Sequence, residues 1–283
     1  MNPCQPVAMI GLGRMGGPVA DHVIAAGHDV RVYDVSAAAM AARVAAGAYG
    51  AESPADAARG TAFVHLVVLD DAQAIEVLTG DDGVLSALSP GSIVSIHTTV
   101  TLDTIDALSA AAAPLGVTVL DAGISGGETG ANAGTLLTMV GGPDEAVNRA
   151  RPIFMTFSKE VIHAGPSGAG MALKLARNAA GYVMMAATHE AMALAQKAGV
   201  DLALLQHAIA ETGVLDQALA PFAMGGPEPL PADAPEATRE FLAHTNRLGE
   251  KDLDQALALA ARVGADVPAI EATRRSFHRV VRL

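Results

Sequence analysis

The segment GLGRMG places Gly11, Gly13 and Gly16 in a G-x-G-x-x-G spacing, directly after the apolar run VAMI (7–10) and before an apolar-periodic stretch with Pro18, Val19, Val23 and Ile24. That pattern predicts a strand, a tight turn and a helix. Such a turn grips a pyrophosphate: one glycine permits the bend, one lets backbone approach the phosphates, and one lets helix pack on strand. The helix N-terminus adds free N–H groups and a positive dipole end. Asp34 stands at the end of a second expected strand, DVRVYD, 23 residues after Gly11. A carboxylate there accepts hydrogen bonds from ribose hydroxyls and repels a 2′-phosphate, for which neither Val35 nor Ser36 offers a cation. The expected ligand is a dinucleotide, NAD rather than NADP, held by Gly11, Leu12, Gly13, Arg14, Met15, Gly16 and Asp34. The alternative for Asp34 is a solvated acid that leaves the preference open.

Lys174 raises a different chemistry. The chain has four lysines against fourteen arginines, and this one lies in the Ala/Leu/Met-rich stretch GPSGAGMALKLARN (165–178). Either its ammonium snorkels to water or it moves protons. Asn178 follows four residues later, so a helix presents both side chains to the same space. An ammonium in an apolar pocket beside an oxidised nicotinamide has its pKa lowered by desolvation and like charge, and the neutral amine then serves as a base. Ser125, Gly126 and Gly127 follow another expected strand, where a hydroxyl and close backbone N–H groups can hold a carboxylate without a basic side chain. Their alternative is a glycine-rich turn joining two strands.

These groups need a scaffold, and the chain reads as α/β. Further strands are expected at 62–69, 92–97 and 117–120, each followed by a helical or Gly/Pro-punctuated stretch. Such alternation with apolar strands implies a doubly wound parallel sheet, a Rossmann domain, over residues 1–164. Beyond it strand signals stop, and helical periods at 168–198, 201–212 and 249–263 predict an all-α domain over 165–283. The proline-rich stretch 225–237 reads as an extended loop. Met171, Met184, Met185 and Met192 have spacings that suit core packing. A net charge of −12 argues against nucleic-acid and anionic-membrane partners. The single Cys4 excludes an internal disulfide and a cysteine-based metal site, and points to a reducing cytoplasm. The nine histidines show no HxH or HExxH spacing, so no metal is expected. Neither a signal peptide nor an apolar run of the ~18 residues that span a membrane is apparent.

Four ordered segments, GLGRMGGPVADHVIAAGHDVRVYD, DAGISGGETGANAGTL (121–136), GPSGAGMALKLARN and KDLDQAL (251–257), resemble the β-hydroxyacid dehydrogenases, the group of 3-hydroxyisobutyrate dehydrogenase and tartronate semialdehyde reductase. The resemblance implies a Rossmann domain joined by a long helix, beginning near Gly168, to a helical domain of the 6-phosphogluconate dehydrogenase type. It also implies a homodimer or homotetramer and an active site in the cleft between domains. Its activity would be NAD-dependent oxidation of a small anionic 3-hydroxy acid, with Lys174 as acid/base and Asn178 orienting the substrate hydroxyl or the lysine. By the same resemblance Leu69 and Thr99 line the cofactor, and Lys251 lies near it. Two departures stand out: Gly123 and Ile124 replace the Pro-Val of the family's DAPVSGG, and Val68-Leu69-Asp70 lacks a usual proline. The rivals are an NADPH-dependent semialdehyde or glyoxylate reductase, an imine reductase, which typically lacks the lysine, and a non-catalytic dinucleotide-binding protein, which has no need of Lys174 and Asn178.

Overall fold

The computed structural model describes residues 6–214 and 219–283, and Cys4 lies outside them. In chain order the sheet unit runs β1 (Val7–Ile10), α1 (Gly16–Ala25), β2 (Val30–Tyr33), α2 (Ala37–Ala45), β3 (Tyr49–Gly50), α3 (Pro54–Ala58), β4 (Phe63–Leu66), α4 (Asp71–Thr79), β5 (Ile93–Ile96), α5 (Leu102–Ala112), β6 (Thr118–Ser125), α6 (Gly127–Ala133), β7 (Leu136–Gly141), α7 (Asp144–Phe154) and β8 (Ser158–Gly165). The helices α8 (Ala169–Lys197), α9 (Leu202–Glu211), α10 (Ala220–Ala223), α11 (Glu236–Val263) and α12 (Pro268–Val280) follow.

The eight strands form one sheet in the order β3-β2-β1-β4-β5-β6-β7-β8. Its central strands are apolar on both faces because helices cover both. Val7, Met9, Phe63, Ile93 and Leu120 pack on one side with Val19, Val147, Phe154 and Phe157; Ala8, Ile10, Val64, Leu66, Val94 and Ile96 pack on the other with Leu78, Ile105 and Leu108. Each fully buried Val, Leu, Ile or Phe contributes about 1.5–3 kcal/mol, so this two-sided core is what fixes the strand ends carrying the site.

The sheet is parallel, as expected, at every pairing but one: β6 and β7 are antiparallel. Pairing with β7 also carries β6 to Ser125, past the expected end at 120. The strands β3, β7 and β8 were not legible as strands. β3 has only two residues, and SKEVIHAG in β8 is too polar to read as a buried strand. Two compact units emerge, one ending at Asn178 and the other spanning Ala179–Leu283. The divide falls inside α8 rather than at its glycine-rich start.

In the second unit the Glu190 carboxylate accepts the backbone N–H groups of Ala269 and Ile270 at 2.7 and 2.9 Å, capping α12. α11 begins at Glu236, well before the expected 249, and α12 had no predicted counterpart. Of the four methionines read as core, Met171 is fully buried, but Met184, Met185 and Met192 are exposed in the single chain, Met185 at 68%. Helical spacing gives a face, and it does not say what covers that face. Among the described residues, no helix is long and apolar enough to cross a membrane.

Candidate active site

Gly11 follows β1 with φ +86°, a left-handed conformation, and a Cβ there would lie 2.2 Å from the Val67 carbonyl oxygen. A Cβ on Gly16 would lie 2.0 Å from the Gly11 oxygen, so α1 can start where it does only without a side chain. A Cβ built on Gly13 would meet nothing within 4 Å, so the space that a side chain would otherwise take is open. The turn thus has the tight bend, the close helix approach and the vacant cradle that a pyrophosphate requires. Arg14 is exposed, Met15 is half-buried, and the Leu12 side chain is buried in the core. Asp34, at the end of β2, accepts the Leu12 N–H at 2.7 Å with one oxygen and the Ser36 N–H at 2.7 Å with the other. It therefore ties the glycine turn to the second strand.

The ends of β4 and β5 come next along the sheet. Leu69 is 79% exposed, which excludes a core role for its side chain. Thr99 is exposed as well. Its neighbour Thr98 is buried, and its hydroxyl accepts the Val68 N–H at 2.9 Å and donates to the Val68 carbonyl at 3.1 Å, tying the two strand ends together. Gly11, Asp34, Leu69, Thr99 and Ser125 all lie at or just beyond the C-terminal ends of β1, β2, β4, β5 and β6. These five strands run parallel, so the five residues share one edge of the sheet, where doubly wound folds bind ligands.

Sequence reading passed over two histidines here. His65 and His97 are fully buried, stacked with ring centroids 5.1 Å apart, and boxed by Phe154 and Phe157. Burial holds the His97 pKa down at about 4, and burial with the neighbouring His97 holds His65 well below its usual value. Both rings are neutral. His97 Nδ1 lies 2.7 Å from the Ala122 carbonyl and must donate to it, so its Nε2 accepts from His65 Nδ1 at 2.8 Å. His65 Nε2 is left buried without a partner.

That hydrogen bond is part of how β6 is finished. Thr118 donates to Ser92, so even-numbered residues of β6 face β5, and β5 stops at Ile96 opposite Asp121. Beyond that point the carbonyls of Ala122 and Ile124 lose their strand partner. His97 takes the first, and Lys174 Nζ donates to the second at 2.5 Å. Lys174 is 8% exposed, and the Ile124 carbonyl is its one acceptor among the described residues. Desolvation, with Arg177 nearby adding like charge, lowers its pKa.

The start of α8 is pinned by Asp121, a residue inside a quoted motif whose role sequence reading missed. Its buried carboxylate accepts the N–H groups of Gly168 at 2.8 Å and Met171 at 2.7 Å. Burial raises its pKa against the opposing pull of those hydrogen bonds. Gly170 permits the contact, since a Cβ there would meet the Gly141 nitrogen at 2.5 Å. No local spacing signals the pairing, because 47 and 50 residues separate the partners.

Ser125 closes β6, and Gly126 and Gly127 lead into α6, not into a second strand as a hairpin turn would. Asn178, one turn after Lys174, is half-buried, and its side-chain oxygen accepts from Arg177 at a long 3.4 Å. Lys251 belongs to the second unit, where it is exposed and 3.1 Å from Asp252. Among the described residues no cluster of His, Cys, Asp or Glu could hold a metal ion.

Comparison with known proteins places this arrangement. The family model for the NAD binding domain of 6-phosphogluconate dehydrogenase matches residues 6–165. A 3-hydroxyisobutyrate dehydrogenase of Pseudomonas aeruginosa is 38% identical over 266 residues, 93% of this chain and 87% of the relative. An NAD-dependent L-serine dehydrogenase of the same organism is 41% identical over 202 residues, 71% of this chain and 67% of the relative. A solved oxidoreductase of Mycobacterium avium superposes with a TM-score of 0.84 at 36% identity, covering 98% of each chain. Likeness at this level runs from the glycine turn through the helical half, and the chain accordingly belongs to the β-hydroxyacid dehydrogenase family of oxidoreductases.

Proposed function

We propose that the chain is an NAD-dependent dehydrogenase of a short 3-hydroxy carboxylic acid, forming the semialdehyde or keto acid, with Lys174 as general acid/base. The observation that carries this reading is a nearly dry lysine with one carbonyl acceptor, in a unit that also carries a glycine turn fitted to a dinucleotide. Gly11, Gly13, Gly16 and Asp34 would hold the dinucleotide, with Leu69 and Thr99 along the same sheet edge. The bound nicotinamide supplies the acceptor for the hydride. Desolvation disfavours the charge of Lys174 and so favours its amine form, which takes the hydroxyl proton as the C–H bond breaks; in reverse its ammonium returns that proton to the carbonyl oxygen. The Ile124 carbonyl orients the amine by accepting one N–H. Asn178 steadies the substrate hydroxyl, and Ser125 with the amides of Gly126 and Gly127 receives the carboxylate. The exposed apolar residues of the second unit support assembly into a homodimer or homotetramer.

The test is absorbance at 340 nm with NAD and a panel of 3-hydroxy acids, for the native chain and Lys174→Ala. A loss of turnover of about 10²-fold or more is expected, with NAD affinity within twofold of native. Retention of a tenth of the activity would remove Lys174 from the chemistry.

A further inference from the structure

We infer that the missing side chain at Gly123 is a seat for Lys174, and that this glycine is a positioning residue setting how closely the lysine-bearing turn of α8 lies on β6. Glycine is unfavourable in a strand interior, and where it persists it often marks a close approach of other atoms. Its backbone at Gly123 gives no other reason for it: the residue sits mid-strand, paired with Met139, and is not among the glycines with positive φ. Space does. A Cβ built there would lie 3.0 Å from Lys174 Cβ, 3.0 Å from Cγ and 3.6 Å from Cδ, and these stem atoms are the three nearest.

The stem therefore lies across the bare strand, and the ammonium reaches the next residue's carbonyl, Ile124. A Cβ at 123 would force the lysine away by a few tenths of an ångström. Lys174 Cβ is fixed to the helix, so either α8 lifts or the stem leaves its path, and in both cases the bond to Ile124 lengthens and water gains access. The family pattern has proline at this position, which carries a Cβ. In this chain that slot is open, and the lysine stem occupies it.

The catalytic consequence rests on the reading of Lys174 as the proton carrier, whereas the seat itself can be measured without turnover. The experiment compares native protein with Gly123→Ala, both labelled with [13Cε]lysine. Each of the four lysines is titrated by NMR, with signals assigned by replacing Lys159, Lys197 and Lys251 with arginine. Expected is a folded variant with native NAD affinity, in which Lys174 titrates about one pH unit higher; kcat for oxidation at pH 7 then falls about tenfold, with KM for NAD unchanged. A Lys174 that titrates at the same pH in both proteins overturns the seat, whatever the activity. If the titration moves while native protein oxidises no hydroxy acid, the seat stands and the proposed function fails. Because the nearest obstacles to the added methyl are all lysine stem, failure of Gly123→Ala to fold also overturns it. Any loss of melting temperature in Gly123→Ala should shrink when Lys174 is also truncated to alanine.

Discussion

Asp34 acts on the protein before it can act on a ligand. Its two oxygens each receive one backbone N–H, from Leu12 and Ser36, and each keeps a lone pair for a ribose hydroxyl. A 2′-phosphate at the same place would meet a fixed negative charge, so kcat/KM should favour NAD over NADP by at least about tenfold, the factor equivalent to 1.4 kcal/mol. Steady-state kinetics with both cofactors decides this, and a tenfold preference for NADP reverses the assignment. His97 offers a prediction of a different kind. Its native pKa is about 4 against 6.5 when unfolded, so between these values the unfolded chain binds a proton that the native chain refuses. Stability is complete above pH 6.5 and declines as the pH falls, by about 2 kcal/mol at pH 5 from this ring alone. His65 acts in the same direction. The melting temperature should therefore drop between pH 7 and pH 5, and less so in His97→Gln; an equal drop in both proteins would clear the ring of responsibility.

Among the elements, α8 is placed by a strand. Asp121 caps its first turn from the end of the β5–β6 ladder, and Lys174 then falls on the tip of the same strand, on the side that β5 leaves without a partner. Asp121→Asn leaves at most one good acceptor and puts an amide N–H₂ where a second acceptor stood. A loss of about 1–2 kcal/mol, typical of a helix cap, is expected, together with a fall in kcat that spares KM for NAD. A variant destabilised by that amount with unchanged kcat would reduce Asp121 to a fold role. The contrast explains what the chain discloses in one dimension. Gly11, Gly13 and Gly16 lie within six residues and impose one local geometry, so the turn and its flanking β1 and α1 are readable directly. The reach of β6 past residue 120 depends on pairing with β7, and α8 is anchored 47 to 50 residues upstream of itself. Neither leaves a local pattern, and the neutral histidines looked idle because they form no metal-ligand spacing.

At the scale of the whole chain, the second unit carries apolar side chains that a lone monomer leaves wet. Tyr182, Val183, Met185, Leu204 and Phe241 are each more than 60% exposed, and chains with such faces commonly bury them against another protein surface. Light scattering should give two or four times the 28.6 kDa chain mass, and Val183→Glu should lower it; a monomer in the native protein contradicts the assembly proposed. The division between the units has its own consequence. It falls within α8, after Asn178, so Lys174 sits upstream of it and no loop marks the seam. In evolutionary exchange or laboratory grafting at that point, the amine proposed as the proton carrier is inherited with the unit that bears the glycine turn. Whatever helical half were joined there, the group proposed to carry the proton would remain in place.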